Sequence, residues 1–233
     1  MIKLKKRMDL MHKKINLKKQ FSIEDAINNL KLLSKVKFIE SIDIAINLGI
    51  NTKKTEQNIR GNVCLTHGTG NYVRLAVFAD GNEAIQAKKL KAEFIGMTDL
   101  ATKINNGEKK FDIVIATPEA MDIVSKLGPI LGPKGLMPNP KLGTITNNVS
   151  KTIKKIRNGQ INFRNDKNGI IHTNIGKINF ENYKIKENLK CLLKILKKYK
   201  PLQLKENYIK KIHISSTMGV SINITKDCLN LIN

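Results

Sequence analysis

Two stretches of this chain, Tyr72–Ala79 and Phe111–Ala116, are apolar almost without interruption, and a helical pattern follows each of them. Strands covered on both faces read this way, and parallel strands joined by crossover helices are the arrangement that covers both faces. Glu83 to Ala92 supplies the helix after the first run. Thr117-Pro118-Glu119 opens the one after the second with an N-cap, a first-turn proline and an acid suited to the helix dipole. Residues 68–159 are therefore predicted to form an α/β, Rossmann-like domain with a small parallel sheet.

The flanks have a different texture. Ser22 caps a predicted helix with Glu24 and Asp25 in its first turn and Ile23, Ala26, Ile27, Leu30 and Leu33 at helical spacing. From Phe38 to Leu48 the period falls to two. Phe38, Ile42, Ile44, Ile46 and Leu48 share one face, Ser41, Asp43 and Asn47 the other, and Glu40 is an acid on the apolar side. After Gly159, Ile161 and Phe163 and then Ile171, Thr173 and Ile175 flank the turn-rich Asn165–Gly169, which predicts a β-hairpin. Leu189, Leu192, Leu193 and Leu196 form a helix stripe opposed by lysines and ended before Pro201, and strands around Ile212–Ser216 and Ser221–Ile224 follow. An α/β segment between two α+β segments reads as an insertion. Residues 1–67 and 160–233 then build one discontinuous α+β domain, with hinges near 67–70 and 157–160, where Gly68, Gly70 and Gly159 stand.

Charge supports that division. The chain carries 42 Lys+Arg against 19 Asp+Glu, a formal net charge of +23 that favours a polyanionic partner. Only 5 of those cations are Arg, and an AT-rich genome inflates Lys, so position along the chain is the better witness. Residues 68–159 are net +6 over 92 residues and the flanks net +17 over 141, which makes the split domain the expected principal nucleic-acid binder.

Other classes find little support. No apolar run is long enough to span a membrane, and Met1–Lys19 has no signal-like apolar core, so it reads as mature cytoplasmic sequence. Cys64, Cys191 and Cys228 are odd in number and distant in sequence, and neither they nor His12, His67, His172 and His213 have metal-ligand or nucleophile spacing. No cofactor, metal or catalytic residue is expected. Gly68-Thr69-Gly70 precedes a strand instead of following one, unlike a dinucleotide fingerprint. An RNA-modifying enzyme would need that glycine-rich turn plus a downstream acidic ribose ligand. A chaperone held to RNA by charge alone is the other competing class.

The stretch Gly128–Thr144 holds four of the six prolines. Gly132, Lys134, Gly135, Pro138, Asn139, Pro140 and Lys141 lie in it, and its mixture of fixed and permissive φ specifies one ordered path, with Ile130, Leu131, Leu136 and Met137 to bury. It lacks the Gly-Lys-Ser/Thr ending of a phosphate loop. Near the C-terminus, Ser215-Ser216-Thr217-Met218-Gly219 joins two strands and offers hydroxyls, an apolar Met and a close-approach Gly.

At this point the segments resemble a known family. LGPKGLMPNPKLGTIT resembles the signature of the large-subunit ribosomal protein L-one family. KFIESIDIAINLGI from Lys37, QNIRGNVCLTHGTG from Gln57, VRLAVFADG from Val73, FRNDKNGIIHT from Phe163 and SSTMG from Ser215 extend the likeness over the whole chain in order. Departures are few: Asn71 stands where a basic residue is frequent, Lys134 replaces a frequent Arg, and Ser215-Ser216 replaces a Thr-rich run.

The resemblance implies a non-enzymatic part of the large ribosomal subunit that is monomeric outside the ribosome and free of membrane. It implies binding to the stalk region of 23S rRNA, a role in releasing deacylated tRNA from the E site, and repression of the protein's own mRNA. It also implies that the RNA surface includes Lys37, Phe38, Glu40, Thr217, Met218 and Gly219. Arg164, Lys167 and His172 around the hairpin are secondary candidates. The proline-rich loop either meets tRNA or braces its domain.

Overall fold

The computed structural model describes residues 11, 19–107, 110–201 and 208–225. The basic arm expected over Met1–Lys19, His12 included, lies almost wholly outside them, as does Cys228. Contacts divide the chain into two compact units, one running to Gly70 and resuming at Ile161, the other spanning Asn71–Gln160.

In the first unit, helix α1 (Ile23–Leu33) begins at Ser22, whose hydroxyl accepts from the Asp25 amide, and it buries Ile23, Ala26, Ile27, Leu30 and Leu33. Strand β1 (Ser41–Leu48) alternates half-buried and buried residues without a break. It is paired antiparallel on one side with β7 (Ile170–Lys177) and on the other with β8 (Ile209–Ser216). Strand β9 (Ile222–Ile224) completes a sheet of order β7-β1-β8-β9. Helix α7 (Asn182–Lys198) and α1 cover one face of it, where Ile42, Ile44, Ile46, Ile212, Ile214, Leu189, Leu192 and Leu193 form a continuous core. Each fully buried aliphatic side chain there contributes on the order of 1.5–3 kcal/mol. The other face of the sheet is polar, with Asp43 opposite Ser215 and Ala45 opposite His213.

Two expectations fail in this unit. Phe38 does not belong to the strand's apolar face: it is 53% exposed and Ile39 57%, and Glu40 takes the inward position ahead of Ile42. The segment after Gly159 is not a simple hairpin either. Strand β6 (Gln160–Arg164) pairs with β2 (Arg60–Cys64) in a separate two-stranded sheet, while β7 joins β1. The turn itself closes, by Asp166 N–H to Ile170 C=O at 2.9 Å, and a lone bridge from Asn165 to Ile171 is what remains of the pairing. Partners far along the chain cannot be inferred from local alternation. Cys64 and Cys191 likewise come together, the Cys191 thiol donating to the Cys64 carbonyl at 3.3 Å.

The second unit is built on three parallel strands, β3 (Leu75–Phe78), β4 (Phe94–Gly96) and β5 (Ile113–Ala116), in the order β4-β3-β5. Every residue of central β3 is buried, which explains its unbroken apolar run. Helices α2 (Gly81–Lys89) and α6 (Val149–Arg157) pack one face through Ala87, Val149, Ile153 and Ile156. Helices α3 (Thr98–Asn105), α4 (Met121–Lys126) and α5 (Gly128–Leu131) pack the other. Thr117 is not an N-cap. Residues 117–120 form a turn in which the Ala120 amide donates to Thr117 C=O, and α4 begins only at Met121. The strand intervenes: the Thr117 amide donates to Phe78 C=O at 3.0 Å and its hydroxyl is turned to the same carbonyl at 3.5 Å, away from the helix start.

The proline-rich stretch is braced from within. Leu131, Pro138 and Leu142 are buried, and Ile130, Leu136 and Met137 pack partly against the core. Asn139 N–H donates to the Thr144 hydroxyl at 2.7 Å, while the Asn139 side chain accepts from Lys141 N–H at 2.8 Å. Gly135 and Gly143 take positive φ there, Gly132 does not, and Lys134, Pro140 and Lys141 are exposed.

Candidate nucleic-acid interface

Glu40 organises the best-defined site. The residue is 0% exposed, a position that is costly for a carboxylate unless its oxygens are filled by donors. They are filled: Ser34 Oγ donates to Oε2, while Ser216 Oγ at 3.2 Å and Met218 N–H at 2.8 Å donate to Oε1. The acid therefore does not reach the surface to meet a ligand. It is a positioning residue that ties the approach to β1 to the turn after β8.

The turn is fixed a second time by Thr217. Its amide donates to Ser41 C=O at 3.1 Å, and its hydroxyl accepts from Ser41 N–H at 3.0 Å and donates back to Ser41 C=O at 3.3 Å. Gly219 closes it through N–H to Ser216 C=O at 3.0 Å. A Cβ at Gly219 would lie 2.3 Å from Ser216 Oγ, so a side chain there would push aside the hydroxyl that serves Glu40. Lys37, Phe38 and Ile39 on one side and Thr217 and Met218 on the other stay exposed, Met218 at 37%. The result is a rigid edge carrying a cation, apolar side chains and polar backbone, the mixture that RNA recognition uses for phosphates, bases and 2′-hydroxyls.

The hairpin candidates separate. His172 lies on β7 opposite Ala45, on the open face of the four-stranded sheet, about 13 Å along β1 from Ser41 at a strand rise of about 3.3 Å per residue. Arg164 is exposed on the two-stranded sheet instead. Lys167 is exposed at the hairpin tip, its carbonyl accepting from the Thr52 hydroxyl at 2.7 Å. A shallow concavity lined by Asp43, Ala45, His172, Asn174 and Ser215 occupies the open face. Sequence reasoning misses Asn174, and it names Ser215 only as part of the turn after β8, not as a neighbour of Asp43. The outward half of the β1 alternation locates Asp43, but only the pairing reveals which residues lie beside it. His213 also faces this side, and desolvation, with help from Lys211, pushes its imidazole below the ordinary histidine range.

Asp166 holds the hairpin tip by accepting from the amides of Asn168 and Ile170, both at 2.8 Å, with His172 Nε2 3.7 Å away. The Ile170 amide is the main reason its carboxyl sits below the usual aspartate range, outweighing desolvation, and the Asn168 amide and His172 add to the lowering. A depressed native pKa stabilises the fold above the unfolded value of about 3.9, and that contribution is lost as pH falls through the native value. Urea midpoints measured from pH 6 down to pH 2.5 should therefore fall less steeply for Asp166→Asn than for the natural chain. Parallel curves would show that Asp166 makes no such contribution.

The glycines at 68, 70 and 159 all take positive φ, at 64°, 71° and 91°. In the first unit, a Cβ at Gly70 would meet Phe180 Cζ at 2.9 Å. The buried Asn188 amide donates to Gly68 C=O and Ile175 C=O, both at 2.9 Å, and accepts from His67 N–H at 3.0 Å.

Among the described residues no group of three or more His, Cys, Asp or Glu could hold a metal ion, and no helix is long and apolar enough to cross a membrane. A strongly basic chain with an open polar sheet face and a rigid edge of mixed chemistry has the features of the nucleic-acid-binding class. The model of the ribosomal protein L1p/L10e family matches residues 30–220, and the chain belongs to that family. It is thus a structural, non-enzymatic component of the large ribosomal subunit that binds rRNA.

Proposed function

We propose that the unit formed by both chain ends binds the stalk region of 23S rRNA through Lys37, Phe38, Thr217, Met218 and Gly219. Arg164, Lys167 and His172 extend that contact. The observation that carries this reading is the buried Glu40, which locks the two exposed segments into one surface from opposite ends of the sequence. Lys37 pairs with a phosphate, Phe38 and Met218 offer apolar area to a base or ribose, and the turn backbone meets 2′-hydroxyls.

The same reading makes residues 68–159 an inserted α/β domain swinging on hinges at Gly68, Gly70 and Gly159. Its motion accompanies release of deacylated tRNA from the E site. Repression of the protein's own mRNA follows if that message copies the rRNA site, and the free protein is a monomer. The positive φ of the three glycines and the unit boundary near them support the hinges.

Filter binding to a stalk rRNA fragment at fixed salt tests the interface. Phe38→Ala and Thr217→Val should each weaken binding by about 1–2 kcal/mol and narrow the preference over an unrelated RNA, whereas Lys37→Gln should mainly reduce the salt slope. A chaperone held by charge alone would show unchanged affinity in both of the first two variants.

A further inference from the structure

Within the second unit, charge is divided between the two sides of the sheet. The side covered by α2 and α6 exposes Lys88, Lys89, Lys91, Lys151, Lys154 and Lys155 and carries Arg157. Two of its acids are half-buried and engaged, Glu83 accepting from Val149 N–H at 3.1 Å and Glu93 from Leu75 N–H at 2.7 Å, while exposed Asp80 caps the opposite, N-terminal end of α2. The opposite side mixes Lys103, Lys126, Lys134 and Lys141 with exposed Asp99, Glu119 and Asp122. A codon bias toward lysine would raise both sides alike, so the asymmetry needs another cause.

The two helices run side by side in the same sense. Glu83 joins α2 to the start of α6, and Arg157 at the end of α6 donates to Lys91 C=O at 2.6 Å, just past the end of α2. Lys88, Lys89, Lys91, Lys154, Lys155 and Arg157 therefore gather at the shared C-terminal ends. Two helix dipoles favour cations there, but the effect acts within the last turn and does not call for six.

An aromatic ring stands beside this cluster. Tyr72 is 74% exposed, and its hydroxyl donates to Glu93, whose other contacts are Leu75 N–H and, at 3.9 Å, Arg157. The hydroxyl is anchored while the ring remains in solvent. Exposed aromatic rings set among cations are how proteins hold unpaired nucleic-acid strands, with bases stacking on the ring and phosphates meeting the cations.

We infer that the second unit carries its own contact surface for unpaired RNA, with a base stacked on Tyr72 and the flanking phosphates on Lys88, Lys91, Lys154 and Lys155. This surface is independent of the Glu40-centred edge. It gives the ribosomal protein a second grip, on a single-stranded segment instead of a folded stalk.

The sequence contains no Trp, so Tyr72→Trp in the full-length protein places a single fluorophore at the proposed site. Titration with a twelve-nucleotide oligoadenylate should quench that emission. Changing Lys88, Lys91, Lys154 and Lys155 together to Gln in the Tyr72→Trp protein should weaken the quench at least tenfold in oligonucleotide concentration. Tyr183→Trp, at an exposed tyrosine of the other unit, should show little quenching. In the otherwise natural chain, Tyr72→Phe should retain oligonucleotide affinity and Tyr72→Leu should lose about fivefold or more, consistent with ~1–3 kcal/mol per stacked base. Thr217→Val should leave the quench intact while weakening stalk-fragment binding, so failure of one surface is distinguishable from failure of the other. Absence of quenching in a folded Tyr72→Trp protein, equal quenching in the Tyr183→Trp protein, indifference to the four lysine changes, or equally effective competition by an RNA duplex would each overturn the inference.

Discussion

Replacing Glu40 with Ala should lower the unfolding free energy by about 3–4 kcal/mol and weaken stalk-RNA binding at least a hundredfold. Removing the carboxylate leaves the Met218 amide and the hydroxyls of Ser34 and Ser216 without their acceptor. Hydrogen bonds to a charged group contribute about 1.5–3 kcal/mol each, and a buried donor left unsatisfied costs about 1–3 kcal/mol. The hydroxyls can rotate to other acceptors, which keeps the total below the sum of three. Glu40→Gln preserves the shape but turns one acceptor into a donor, so it should fall between the two, at about 2 kcal/mol. Urea unfolding gives the stability, and filter binding on protein shown to be folded gives the affinity. If the alanine variant were as stable as the natural chain, the account of the buried carboxylate would be wrong. If it were destabilised but bound RNA normally, the edge it positions would not be the binding surface.

Asn188→Leu should produce the second large effect, a loss of about 3 kcal/mol. The side chain is fully buried at 0% exposure, and leucine keeps the same branched skeleton with somewhat bulkier methyls, so shape alone predicts only a modest steric cost. Hydrogen bonding predicts otherwise. The His67 amide and the carbonyls of Gly68 and Ile175 lose their partner inside the protein. An orphaned buried group costs about 1–3 kcal/mol, and partial relaxation of the segment at residues 67–68 moderates the total. Asn188→Asp separates the two donated bonds from the accepted one, because a carboxylate still accepts from His67 N–H but faces two carbonyl oxygens. It should be at least as damaging as leucine. A thermal unfolding series at pH 7 would decide the matter, and a leucine variant melting with the natural protein would refute it.

Much of the architecture is written in local periodicity. The burial stripe of α1, the alternation of β1 and the unbroken runs of β3 and β5 all follow from which neighbours share a face, and each is readable from the residues alone. What periodicity does not encode is which strand lies beside which. The hairpin expected across Asn165–Gly169 has the right turn but sends its two arms into different sheets, because β1 competes for β7. Two-residue spacing extends to Phe38 and puts it on the core face, yet the strand starts at Ser41 and the inward position before Ile42 belongs to an acid. That acid is visible in the sequence as an anomaly. Two of its three donors are not, since Ser216 and Met218 come from the far end of the chain.

Glu40 and Ser216 are 176 positions apart, and β1, an inner strand of its sheet, has both partners in the last part of the sequence. A chain emerging from N- to C-terminus presents β1 early, with two unpaired edges and an apolar face that must wait for β7 and β8. The parallel-stranded unit is complete once Gln160 has been made, so it can close during that wait. Sequence-distant pairing of this kind carries a high loop-closure cost and folds slowly. The order of synthesis thus favours the second unit maturing first, with the Glu40-centred edge the last part to be assembled.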